Sequence, residues 1–127
     1  MIRIIPFYGT VSANSEKTLV SDRLSLPYEI KEIQIHFPPG TECKNRIRVY
    51  VSGSDYAPST GKPDGDNLFA YGGHIEYIVG DNETLILPQS LKITQRPTWI
   101  KVHAENIDSY DHTIDVRVVI DLNLSGG

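Results

Sequence analysis

Ile114-Asp115-Val116-Arg117-Val118-Val119-Ile120-Asp121-Leu122 is the stretch that decides the fold. Every second residue from Ile114 to Leu122 is apolar, and three of the four residues between them are charged. A helix cannot gather that pattern on one face, whereas a strand turns it into one buried and one wet side. This is the longest such run in the chain, and its inner face predicts a central strand.

The same period of two recurs upstream. Ile33, Ile35 and Phe37 alternate with Gln34 and His36; Ile47, Val49 and Val51 alternate with Arg46, Arg48 and Tyr50; Thr98, Ile100, Val102 and Ala104 alternate with Trp99, Lys101 and His103. Before Ile33 the phase changes, because Tyr28 and Ile30 are apolar at even positions. One extra residue near Lys31 and Glu32 restores the register, which predicts a β-bulge there. Shorter strands are expected over residues 2–7, 18–20, 68–71, 74–79 and 84–87. Between them lie Pro38-Pro39-Gly40, Gly72-Gly73, Gly80-Asp81-Asn82 and Arg96-Pro97, all chain-turning signals. No window keeps a helical period, and residues 12–19 read as a turn before a strand. Eight or nine short strands at this spacing describe an all-β fold, a single antiparallel β-sandwich of jelly-roll or Greek-key type.

The chain has 127 residues, of which 39% are hydrophobic and 22% charged, which fits one domain spanning 1–127. A chain of this size buries roughly two thirds of its unfolded surface and needs neither metal nor disulfide to fold. A net charge of −4 supplies no basic face for phosphates, so no nucleic-acid partner is expected. Residues 1–8 lack the apolar run and cleavage site of a signal peptide, since Pro6 and Tyr8 interrupt them. No stretch reaches membrane-spanning length, and the lone Cys43 has no internal disulfide partner. Synthesis in the cytoplasm, with no membrane partner, is the expectation. Residues 52–67 form one long irregular segment holding Gly53, Pro58, Gly61, Pro63 and Gly65, and a loop of that length is a place to look for function. Residues 1–8 and 123–127 read as extended arms that reach a neighbouring subunit.

Several residue groups bear on chemistry. Asp64, Asp66 and Asn67 have the oxygen ligands and spacing of half a calcium loop, but Ile75 stands where a full loop needs its bidentate Glu. A polar turn explains them as well, and no cofactor is expected unless it is calcium at that place. His36, His74, His103 and His112 show no short metal-ligand spacing. Asp111-His112 with a serine lacks the Gly-x-Ser-x-Gly elbow of a hydrolase. Cys43, between Glu42 and Lys44, lacks the electropositive surroundings of a reactive thiol. For binding, the aromatics are the stronger signal. Tyr50, Trp99 and Tyr77 fall opposite the core side of their strands, and Tyr56 lies in the long segment. Such rings anchor a protein interface or stack on sugars, unless a loop covers them and makes them core. Lys44, Arg46 and Arg48 form a basic ladder on one strand face, expected to pair with Asp115 or Asp121 across the sheet.

In size and strand pattern the chain resembles the small β-sandwich and jelly-roll accessory proteins of virus and phage particles, including those that decorate or cement capsids. That resemblance implies a non-enzymatic structural subunit, a homo-oligomer or part of a larger protein assembly, with the virion as its final place. Interface residues would then be Trp99, Tyr50, Tyr77, Tyr56, Arg46 and Arg48. The alternative is a carbohydrate-binding sandwich that uses the outer-face aromatics. A cupin-like enzyme would need histidines and carboxylates gathered in one barrel, which their spread in the sequence opposes.

Overall fold

In the computed structural model, which describes residues 1–69, 76–95 and 97–122, the alternating segments become eight strands. They are β1 (Ile2–Val11), β2 (Ser15–Val20), β3 (Tyr28–Phe37), β4 (Asn45–Ser52), β5 (Asp66–Asn67), β6 (Glu83–Ile93), β7 (Trp99–Asn106) and β8 (His112–Asp121). Two four-stranded antiparallel sheets result, ordered β1-β8-β3-β6 and β2-β7-β4-β5. First pairs with last, second with seventh, third with sixth and fourth with fifth. The chain is therefore one long ribbon, doubled back between β4 and β5 and wrapped so that successive rungs fall in alternate sheets. Pairing of β3 with β8 and of β4 with β7 joins the rungs into sheets. This is the eight-stranded, jelly-roll or Greek-key-like sandwich that the strand pattern predicts.

The core lies between the sheets. Ile114, Val116, Val118 and Ile120 of β8, Ile33 and Ile35 of β3 and Ile100, Val102 and Ala104 of β7 are fully or almost fully buried there. Burial of each larger aliphatic side chain stabilises the fold by about 1.5–3 kcal/mol. The phase change before Ile33 is met by a register shift between Ile30 and Glu32, seen against both β6 and β8. That bulge lets Tyr28 and Ile30 face the same core as Ile33 and Ile35. The buried Tyr28 hydroxyl lies 2.8 Å from the Thr98 hydroxyl, and burial raises its pKa.

Two expectations about the strands change, and a third falls partly outside the described residues. Residues 1–8 are not an arm: β1 pairs with β8 over ten consecutive positions and sends Ile5, Phe7 and Val11 into the core. The Leu122 amide donates to the Met1 carbonyl, which turns the amides of odd residues in β1 towards β8 and the nitrogen of Pro6 towards the open edge. An edge is where a strand tolerates proline. Secondly, β6 runs well beyond 84–87 and, at 11 residues, is longer than β8. It passes through Pro88, opposite Glu32 at the bulge and on the edge of its sheet. β8 is nevertheless interior, between β1 and β3. Finally, the expected strands over 68–71 and 74–79 fall partly outside the described residues, as does the whole of 123–127. What is described there is Leu68 bonded to Val49 and a bridge of Ile78 to Ile47 on the edge of β4.

Candidate functional site

The outer face of the β2-β7-β4-β5 sheet carries most of the residues singled out in the sequence, and it is largely covered. Arg48, Tyr50 and Ser52 of β4 and Lys101 and His103 of β7 alternate away from the core, yet all five are buried. The segment between β4 and β5, with residues 76–78, lies over them. Loop cover thus holds for Tyr50 and Arg48, which corrects their reading as open interface residues. The physical reason is the long irregular segment itself, whose polar groups match those of the sheet beneath.

Arg48 illustrates the match. Its Nη1 donates to Glu105 Oε1 at 3.2 Å and its Nη2 to Glu76 Oε1 at 3.3 Å. Lys62 Nζ reaches the same Glu76 oxygen at 2.8 Å, and hydrogen bonds from Lys62 and then Arg48 hold the Glu76 carboxyl below the usual range. The guanidinium carbons of Arg46 and Arg48 stand 5.0 and 5.2 Å from the centre of the Tyr77 ring, so Tyr77 is gripped by two cations. Arg46 also lies 3.6 Å from Glu105. The basic ladder therefore pairs with Glu105 and Glu76, while Lys44 pairs with Glu42 and Asp108. Asp115 and Asp121, the expected partners, belong to the other sheet. Trp99 is half-buried opposite Ser52, and Tyr56 is exposed.

Two further ties hold the cover. Lys101 Nζ donates to Asp64 Oδ1 at 2.5 Å and to Ser54 Oγ at 3.3 Å, while Ser52 and Ser54 hydroxyls donate to Asp64 Oδ2. Hydrogen bonding by Lys101 and then Ser54 pulls the Asp64 pKa down to about 2. His103 Nε2 lies 2.8 Å from Glu16 Oε1, which also accepts the Gly61 amide. Because Arg48 Nη1, always a donor, faces His103 Nδ1 at 3.4 Å, Nε2 is the nitrogen that donates to Glu16. Asn67 donates to the Glu76 carbonyl and accepts from the Phe69 amide, whereas Asp66 is exposed. Of the three oxygen-bearing residues Asp64, Asp66 and Asn67, Asp64 is taken up by Lys101, Ser52 and Ser54, and among the described residues no three His, Cys, Asp or Glu are grouped to hold a metal. Among the described histidines, His112 pairs with Asp108 at 3.0 Å, His103 is buried and His36 alone is exposed. His74 lies outside the described residues. Cys43 is exposed.

The outer face of the β1-β8-β3-β6 sheet, by contrast, is open. Along β1, Ile2, Ile4 and Tyr8 are 58%, 55% and 74% exposed, with Pro6 between them. Sequence reasoning missed this row, because residues 2–8 are apolar on both faces and no alternation marks which side is wet. Further across the sheet, Gln34, His36, Thr84, Asp115 and Arg117 line a shallow depression. Gln34, His36, Asp115 and Arg117 were visible as the polar half of two alternating strands, and Thr84 comes from a third, β6; what brings them together is the pairing, which sequence spacing does not reveal.

No family model matches the sequence, and no curated protein matches it. Among solved structures the chain is similar to the Yersinia pseudotuberculosis-derived mitogen, at 10% identity and TM-score 0.42, covering 93% of this chain and 86% of that one. It is also similar to a chain of the infectious bursal disease virus Gx strain, at 11% identity and TM-score 0.46, covering 98% of this chain and 33% of that one. A third likeness is to the VP2 subviral particle of infectious bursal disease virus, at 11% identity and TM-score 0.37, covering 93% and 33%. The chain spans about a third of the length of these two viral chains. At such values no function passes from them to this protein.

Proposed function

We propose that the protein is a non-enzymatic structural subunit, a β-sandwich that self-associates or docks on a larger protein assembly of the virion type. The observation that carries this reading is the row of Ile2, Ile4 and Tyr8 on the outer face of an edge strand, with Val119 beside Ile4 in the register. Single exposed apolar side chains are ordinary, but a contiguous row of them favours a contact surface. Pro6 has no amide to offer on the open edge, so contact is made by side chains and not by adding another strand. This reading takes β1 as the docking surface in preference to Trp99, Tyr50 and the 52–67 loop, where Tyr56 is exposed.

A role without catalysis or cofactor agrees with how the chain uses its titratable groups. Glu16, Asp64, Glu105 and Asp108 each hold a cation or a histidine in place. The net charge of −4 favours protein over nucleic acid as the partner. The test is light scattering on the full chain and on Ile4→Lys. Truncation of residues 1–8 is not a clean test, because it removes most of a paired strand. The carbohydrate reading draws support from the polar depression on the same sheet.

A further inference from the structure

We infer that the depression lined by Gln34, His36, Thr84, Asp115 and Arg117 is a binding site for a neutral saccharide. It goes beyond the assembly role and lies on the sheet opposite Trp99. The register builds it in two rows across the strands. Tyr8 stands opposite Asp115 and His36 opposite Thr84; in the next row Pro6 stands opposite Arg117, Arg117 opposite Gln34 and Gln34 opposite Ile86. Three of the five lining residues come from the interior strands β3 and β8 and a fourth, His36, from the end of β3, so the backbone fixes their spacing before any ligand arrives.

The chemistry of the lining selects the ligand. Asp115 and Arg117 are two residues apart on one face, which separates them by about 7 Å along the strand. Among the described residues neither side chain has a hydrogen-bond or ion-pair partner. An ionised carboxylate only accepts and a guanidinium only donates. A small anion drawn to Arg117 meets the charge of Asp115, and a cation drawn to Asp115 meets Arg117. A polyhydroxylated neutral ligand satisfies both, because each hydroxyl donates and accepts. His36 Nδ1 is engaged with the Thr84 hydroxyl at 2.8 Å, which fixes the ring at the rim. Gln34 is likewise steadied by Glu32, to which its amide donates. At the Asp115 end the exposed Tyr8 ring offers an apolar face with a polar tip, suited to the C–H face of a pyranose.

Saturation-transfer NMR on the full chain with glucose, galactose, mannose, fucose and N-acetylglucosamine tests this directly. At least one sugar should receive saturation, and its titration should shift the amides of Gln34, His36, Thr84, Asp115 and Arg117. Asp115→Ala and Tyr8→Ala should each weaken binding about tenfold or more, the loss expected for a charge-assisted hydrogen bond or a stacked ring. Tyr8 is exposed and Asp115 half-buried on the outer face, and unchanged thermal melting would confirm that the variants fold; the amide map on the unaltered chain is the independent check. Absence of saturation with all five sugars, affinity unchanged in both variants, or shifts gathered around Trp99 would each overturn the inference. Tyr8 belongs both to this site and to the exposed row of β1, so Asp115→Ala, outside that row, is the variant that should weaken sugar binding without changing the association state, while Ile4→Lys should leave sugar binding intact.

Discussion

The Lys101 ammonium, wholly buried on the face of β7 that alternation marks as polar, meets the carboxylate of Asp64 at 2.5 Å. One partner sits in the sheet and the other in the segment after β4, so this contact ties the cover to the sandwich. Asp64 is half-exposed, which admits solvent from one side and tempers the pair.

Removing the partners one at a time should give unequal results. Asp64→Ala leaves a buried ammonium with little more than Ser54, and should lower stability by about 1–3 kcal/mol. Lys101→Met takes away the buried charge along with the contact and should cost less. Urea unfolding midpoints of the two variants measure the difference. A larger loss in Lys101→Met would show that the ion pair, and not the relief of a stranded charge, dominates here.

Acid should loosen the same tie. Unfolded, Asp64 takes up its proton near 3.8; folded, it does so at about 2. Between those values the unfolded chain binds more protons, so this contribution is fully present above the window and fades as pH falls through it. Glu76 and Asp108, whose pKa values are also lowered, act in the same direction. Thermal melts between pH 5 and pH 2 should therefore fall more gently in Asp64→Asn than in the unaltered chain.

Where one face of a strand is apolar and the other charged, the sequence was legible to the residue. The phase change at Lys31 and Glu32 foretold the bulge because a slip of one residue would have turned Tyr28 and Ile30 out of the core. In β7 the alternation identified Ile100, Val102 and Ala104 as core correctly, yet it marked Lys101 and His103 as wet. Only the cover from a distant segment buries them, and alternation reports faces of a sheet without reporting what lies on them. β1 and β6 were harder for a different reason. Ile4 and Ile5 are both apolar, and Pro88 inside β6 reads as a breaker until its place on an edge strand is known.

A second stability prediction concerns the bond across the core. Tyr28→Phe leaves the Thr98 hydroxyl buried without its partner and should cost about 1–2 kcal/mol. Adding Thr98→Val should cost less than the sum of the single changes, since neither polar group is then stranded. Additive losses in a denaturation cycle would mean that the two hydroxyls do not depend on each other.

Gly65 returns the cover to the sheet in the left-handed region, at φ +118°, with a hypothetical Cβ only 2.5 Å from the Val51 carbonyl oxygen. Gly65→Ala should therefore destabilise by about 2 kcal/mol or more. Amide exchange should show where the strain is relieved: faster exchange at Leu68, whose N–H bonds to Val49, is the expected local sign.

The association state of the full chain bears most directly on the assembly role. Light scattering across a concentration series should give a defined oligomer, and Ile4→Lys, which places a charge in the exposed row of β1, should give a monomer with an unchanged melting temperature. A chain that is monomeric throughout the series, or an oligomer that survives Ile4→Lys intact, would contradict association through β1.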